Sequence, residues 1–222
     1  MAGLFTLLSA GAIRGGVIFE SAPMGSPGPA GSGTVVGSNA SVSQFVGVRF
    51  TLNTQTLIHS VGGYVRANGN SLGPLFAAIV SLDASTGFPS GYPFSGSPLV
   101  STTFLPSLTG ADQRTPVSAL LAAGSYGLVF GAGMFGSPLG GEALLLDPGA
   151  VSNASYFAWT SIDMPGFGQI GNWGNLTGVN ARFVIEGTAF AGALETSTPE
   201  PGSFLLGVLG LGIAALIRKS AS

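Results

Sequence analysis

The residues best suited to recognising a ligand crowd into one stretch. Tyr156, Phe157, Trp159, Phe167 and Trp173 lie together with Asn153, Gln169, Asn172 and Asn175. Sugar sites stack pyranose faces on aromatic rings and bond the rim with amides, so this composition suits a polysaccharide. Trp173, between Asn172 and Gly174, is the best candidate for an exposed ring; Trp159, Asn172 and Asn175 complete the candidate carbohydrate site. A competing reading makes 156–159 a core strand and Trp173 a loop plug.

Other chemistry is thinly supplied. His59 is the only histidine and sits in an apolar strand pattern, which predicts an ordinary hydrogen bond, not a triad or a metal site. Glycoside hydrolysis needs two carboxylates a few ångströms apart. Asp83 and Asp163 are the pair to watch, yet each stands beside a turn signal, in Asp83-Ala84-Ser85-Thr86-Gly87 and Asp163-Met164-Pro165-Gly166, where Asp serves the backbone. There is no cysteine and no EF-hand run, so no metal and no cofactor is expected. The glycine-rich pieces 131–136 and 166–175 lack the P-loop lysine and read as loops. The expectation is a non-enzyme, with an extracellular hydrolase the remotest alternative.

The elements that would position these residues are strands. Charged residues make up 7% of the chain against about 25% in ordinary soluble domains, while glycine supplies 37 of 222 positions. Net charge is −2, and Arg49, Arg66, Arg114 and Arg182 are scattered, so nucleic acid is not an expected partner. Short runs rich in Val, Ile, Phe and Tyr occur at 44–52, 57–65, 75–82, 125–130 and 181–187, bounded by Gly, Pro and Asn. The segment 116–123 could be a short helix or a strand. This pattern predicts an all-β fold, an antiparallel β-sandwich of jelly-roll type, over 39–191, followed by a short C-terminal hydrophobic helix. Ahead of it, 1–12 reads as a partial signal peptide ending in Ala10-Gly11-Ala12, and 13–38 as a Gly/Pro/Ser-rich N-terminal segment in which 21–38 is a loop or linker.

After a linker at 192–198 comes Pro199-Glu200-Pro201, then an uncharged apolar run over 204–217, then Arg218-Lys219. As a helix the run is about 21 Å long against a hydrocarbon core of about 30 Å, so it enters a membrane but spans it marginally. The basic pair keeps its end cytoplasmic and turns the preceding domain outward. Two prolines hold the segment before the helix extended, a form a peptidase can bind as a strand.

This three-part order resembles the PEP-CTERM sorting signal of exopolysaccharide-making Gram-negative bacteria. The resemblance covers 199–222 and implies recognition of Pro199, Glu200 and Pro201 by an exosortase-type transpeptidase, with Arg218 and Lys219 as the membrane stop. Thr198 stands where the family often has Val, and the basic cluster is short. The resemblance further implies an exported protein, held transiently at the inner membrane and then delivered to the cell surface or extracellular matrix. Its domain would be structural or adhesive, or alternatively a carbohydrate-binding module for exopolysaccharide. The segment 121–129 (Leu-Ala-Ala-Gly-Ser-Tyr-Gly-Leu-Val) also resembles an L-x-A-G-x-Y hairpin of such cargo domains.

Overall fold

The computed structural model describes residues 15–25, 33–38, 42–91, 93–150, 152–164 and 168–190. The expected signal peptide at 1–12, linker at 192–198 and sorting signal with its helix at 204–217 lie outside the described residues. Within them the chain is all-β. Its strands are β1 (Gly16–Glu20), β2 (Gly33–Ser38), β3 (Val42–Leu52), β4 (Thr56–Leu72), β5 (Leu75–Ser81), β6 (Val100–Phe104), β7 (Ala111–Leu121), β8 (Gly124–Gly131), β9 (Gly141–Leu146), β10 (Tyr156–Met164), β11 (Gly168–Leu176) and β12 (Phe183–Ala189).

All twelve belong to one antiparallel sheet, curled into a half-barrel. Its main path runs β1-β12-β4-β9-β2-β3-β8-β5-β6. Two long strands branch it. The first half of β4 pairs with both β12 and β7, and its second half pairs with β9. Likewise β3 holds β10 and, over different residues, β2 and β8. Curling lets distant strands share one interior: Phe130 of β8 meets Phe183 of β12 with ring centroids 4.8 Å apart, although these strands are not hydrogen-bonded neighbours. Val46, Val48, Ile58, Val65, Ile79 and Leu128 fill the same core.

Period-two alternation divides each central strand between two faces. Even positions of β3 enter that core, whereas Phe45, on the opposite face, joins Phe76, Val80, Val129, Phe157 and Trp159 in a second buried cluster. Over it lie Phe88 and Phe94 from the long β5–β6 connection, Met134 and Phe135 from the β8–β9 connection, and Trp173 of β11. Burial on both faces explains why β5 reads as an unbroken apolar run, Leu75 to Val80.

Three expectations are corrected. The stretch 21–38 is not wholly a loop or linker: its last six residues form β2, and just ahead of it β1 places Ile18 and Phe19 on the core. Pairing supplies the missing propensity, since β1 follows β12 and β2 follows β9. The glycine-rich stretch read as a loop forms β11, laid along β10 from Tyr156↔Leu176 to Met164↔Gly168. The expected hairpin at 121–129 is a crossing between ladders, with β7 paired to β4 and β8 to β3 and β5. Gly124, at φ +159, begins the new strand, and the Tyr126 hydroxyl braces the corner by donating to the Ala122 carbonyl at 3.0 Å. The open choice at 116–123 falls to strand through Leu121.

Candidate functional site

The β10–β11 pair sets the faces of the candidate carbohydrate residues. Trp159 lies opposite Trp173, and Phe157 opposite Asn175, so these four share a face; Asn172, opposite Thr160, points to the other. The expected cluster is therefore divided. Trp159 is only 3% exposed and offers no ring face to a ligand. Trp173 is half-buried rather than displayed. Its indole N–H donates to the Pro93 carbonyl at 2.7 Å, and its ring meets Phe94, Phe157 and Trp159 at 5.3, 5.4 and 5.7 Å in edge-on contacts. Exposed Asn175 lines a separate shallow cleft with Ser155 and Thr177. Tyr156 is turned to the main core and donates to the Ala181 carbonyl at 2.5 Å. Phe167 lies outside the described residues.

Two arginines and three carboxylates are joined in one network. Buried Arg182 reaches Glu20 at 2.6 Å and Asp112 at 3.2 Å, and also donates to the Ala22 carbonyl. Arg114 grips Asp112 through both terminal nitrogens, at 2.9 and 3.0 Å, and Glu186 through Nε at 3.2 Å. Ser60 donates to the second oxygen of Glu186. This network ties β1, β4, β7 and β12 together. Burial pushes the Asp112 carboxyl up, but hydrogen bonds from Arg114 and Arg182 and the attraction of both cations outweigh it and hold the group below its ordinary range. Arg114 is lowered by burial and raised more by Asp112 and Glu186, so it ends above its ordinary value.

His59 makes one bond, 3.0 Å from its Nε2 to the Thr188 hydroxyl. Asp83 is a turn residue: its Oδ1 accepts from Ser85 N, Ser85 Oγ and Thr86 N at 3.0, 2.5 and 2.9 Å, which lowers its pKa. Asp163 lies in β10 opposite Gln169, and its side chain is outside the described part. Among the described residues no three His, Asp or Glu side chains converge to hold a metal ion.

Sequence reasoning passed over Arg49. It stands at an odd position of β3, a lone charge between Val48 and Phe50 of the inner core. That isolated cation in an apolar alternation was the available signal. Its guanidinium lies over the rings of Phe88 and Phe157, 4.8 and 5.1 Å from their centroids. Nε donates to Gly87 O at 2.7 Å and Nη1 to Ser155 Oγ at 3.3 Å. Burial lowers its pKa, yet an arginine keeps its charge. Around it opens a cleft of about 780 Å³, whose lining includes Phe19, Thr51, Asp83, Ser125 and Asn153.

No family model, no curated protein and no solved structure matches this chain. The sorting residues Pro199, Glu200, Pro201, Arg218 and Lys219 lie outside the described part.

Proposed function

We propose that this chain is an exported protein of the cell surface or extracellular matrix, sorted through its tail, whose β-domain serves a structural or adhesive role. One observation carries the reading: Pro199-Glu200-Pro201, the apolar run 204–217 and Arg218-Lys219 succeed one another in the order a removable membrane signal requires. The run is too short for a comfortable permanent anchor, which suits transient retention at the inner membrane and processing by an exosortase-type transpeptidase. The domain supports a scaffold role, because its aromatic stretch packs a second core and its described arginine–carboxylate pairs join strands. At finer grain we read the curled sheet as a jelly-roll-like sandwich, with β9 and β2 carrying the hydrogen bonding from one layer to the other.

The test is the intact mass of the protein recovered from the surface of cells that process it. A mature chain shortened near Pro199 is expected; one still ending at Ser222 overturns the reading. Binding of exopolysaccharide is the second reading, favoured by the Arg49 cleft and not by the tryptophans.

A further inference from the structure

Arginine inside an apolar layer is ordinarily matched by a carboxylate, as Arg114 and Arg182 are here. Arg49 is not: no carboxylate among the described residues lies within 4.0 Å of it. What holds it are two aromatic faces, one carbonyl and one hydroxyl. Those contacts fix the fork in place and leave Nη2 without an acceptor among the described residues. A rigid, partly desolvated guanidinium at the wall of an open cleft is prepared for an oxyanion, since its ordering cost is met in the folded state.

The rest of the cleft narrows the class. Asp83 is held in its own turn, accepting hydrogen bonds from Ser85 and Thr86. Its negative charge, in the lining of the same cleft, opposes a dianion such as phosphate and favours a ligand with one negative charge and several hydroxyl donors. Asn153 adds an exposed amide, Thr51 and Ser125 a hydroxyl pair 3.2 Å apart, and half-buried Phe19 an apolar wall. Carboxylate, hydroxyls and a flat apolar face together describe an acidic sugar.

We propose that the cleft around Arg49 binds a uronate unit of an acidic polysaccharide, with the guanidinium taking the carboxylate and Asp83 and Asn153 taking ring hydroxyls. This goes beyond the sorting reading, which its failure leaves standing, because the mass of the mature chain does not depend on it.

The experiment is calorimetric titration of the full-length chain with trimers of galacturonate, glucuronate and mannuronate, their methyl esters, and inorganic phosphate. At least one acidic trimer is expected to bind, and its ester to bind about ten- to a hundredfold more weakly. Arg49→Gln is expected to reduce the acidic trimer's affinity to that of the ester, with Arg49→Lys in between because it keeps charge without the fork. Asn153→Ala, at an exposed position that packs no core, should weaken acid and ester alike. Circular dichroism of each variant separates lost binding from lost fold, and the Asn153 variant keeps the test open if Arg49→Gln does not fold. Binding to none of the three acids, equal binding of acid and ester, or an unaffected folded Arg49→Gln protein overturns the proposal. Phosphate binding as tightly as the best trimer does so as well, by showing a bare anion site.

Discussion

Asp112 stands between two guanidinium groups, and its protonation decides how firmly β7 is joined to Arg182 immediately before β12. Its folded pKa is depressed, so the unfolded chain takes up the proton first as pH falls. The stabilisation is full above the unfolded value of about 4 and is lost as pH drops through the lower folded value. Asp112→Asn should therefore lower stability at neutral pH and flatten the acid limb of the stability curve, read by denaturant unfolding from pH 7 to pH 3. An acid limb as steep as that of the parent would place the sensitivity elsewhere. Trp173 makes a second residue-scale case. Its contacts are with protein, so Trp173→Ala should cost about 2–4 kcal/mol in unfolding free energy and leave retention on exopolysaccharide unchanged. Lost retention in a variant of parental stability would restore the exposed-ring expectation.

At the scale of the element, glycine inside strands makes room for the second core. A Cβ on Gly131 would stand 2.3 Å from Phe45 Cδ1 and 2.6 Å from Phe76 Cζ; one on Gly47 would stand 2.5 Å from Phe157 Cζ. The rings lie flat across the sheet where these strands lack side chains. Gly131→Val should destabilise by at least about 1–3 kcal/mol, since the crowded rings are themselves packed and cannot swing away. Thermal unfolding checks it, with Gly174→Val, whose Cβ would meet nothing within 4 Å, as the control. The same glycines explain what could be read beforehand. Strands with one apolar face or a continuous apolar run, β3, β4, β5, β8 and β12, announce themselves by alternation or β-branched content. β11 does not, because Gly168, Gly171 and Gly174 erase its pattern and its only ladder among the described residues is with β10. β1 depends on β12 and most of β2 on β9, and sequence-local patterning cannot see a partner about 100 or more residues away. The candidate site fared worse for a related reason. Aromatic composition marked 156–173 as sticky, but only the sheet's second covered face shows that those rings bind one another, and only the cleft makes Arg49 stand out.

For the whole molecule, the question is which parts the fold needs. The last ladder contact of β12 is Ala189↔Thr56, after which Phe190 N donates to Gln55 O at 2.9 Å. At the other end β1 begins at Gly16, so removal of 1–12 after Ala12 would leave it whole. Beyond that point losses become costly. Ser21 Oγ donates to the Ala181 carbonyl at 2.7 Å and accepts from Phe183 N at 2.8 Å, both buried, and Glu20 neutralises buried Arg182. Three truncations probe this arrangement. A chain of residues 13–190 should unfold in one cooperative transition at the midpoint of the full-length protein. A chain of residues 33–190, lacking β1, Glu20 and Ser21, should lose at least about 2 kcal/mol, because buried Arg182 keeps only Asp112 of its two carboxylates and buried Phe183 N loses its acceptor. A chain starting at residue 39 loses β2 as well, and with it the link between β9 and β3 that closes the main path of the sheet; it should fail to unfold cooperatively at all. If instead the chain starting at 39 matched the full-length midpoint, the domain would begin where the composition alone suggested, and the first two strands would be ornaments on an independent core. Equal behaviour of the 13–190 chain and the full-length protein also bears on sorting, since a domain that loses nothing with the tail is one from which a transpeptidase can remove that tail without unfolding the cargo.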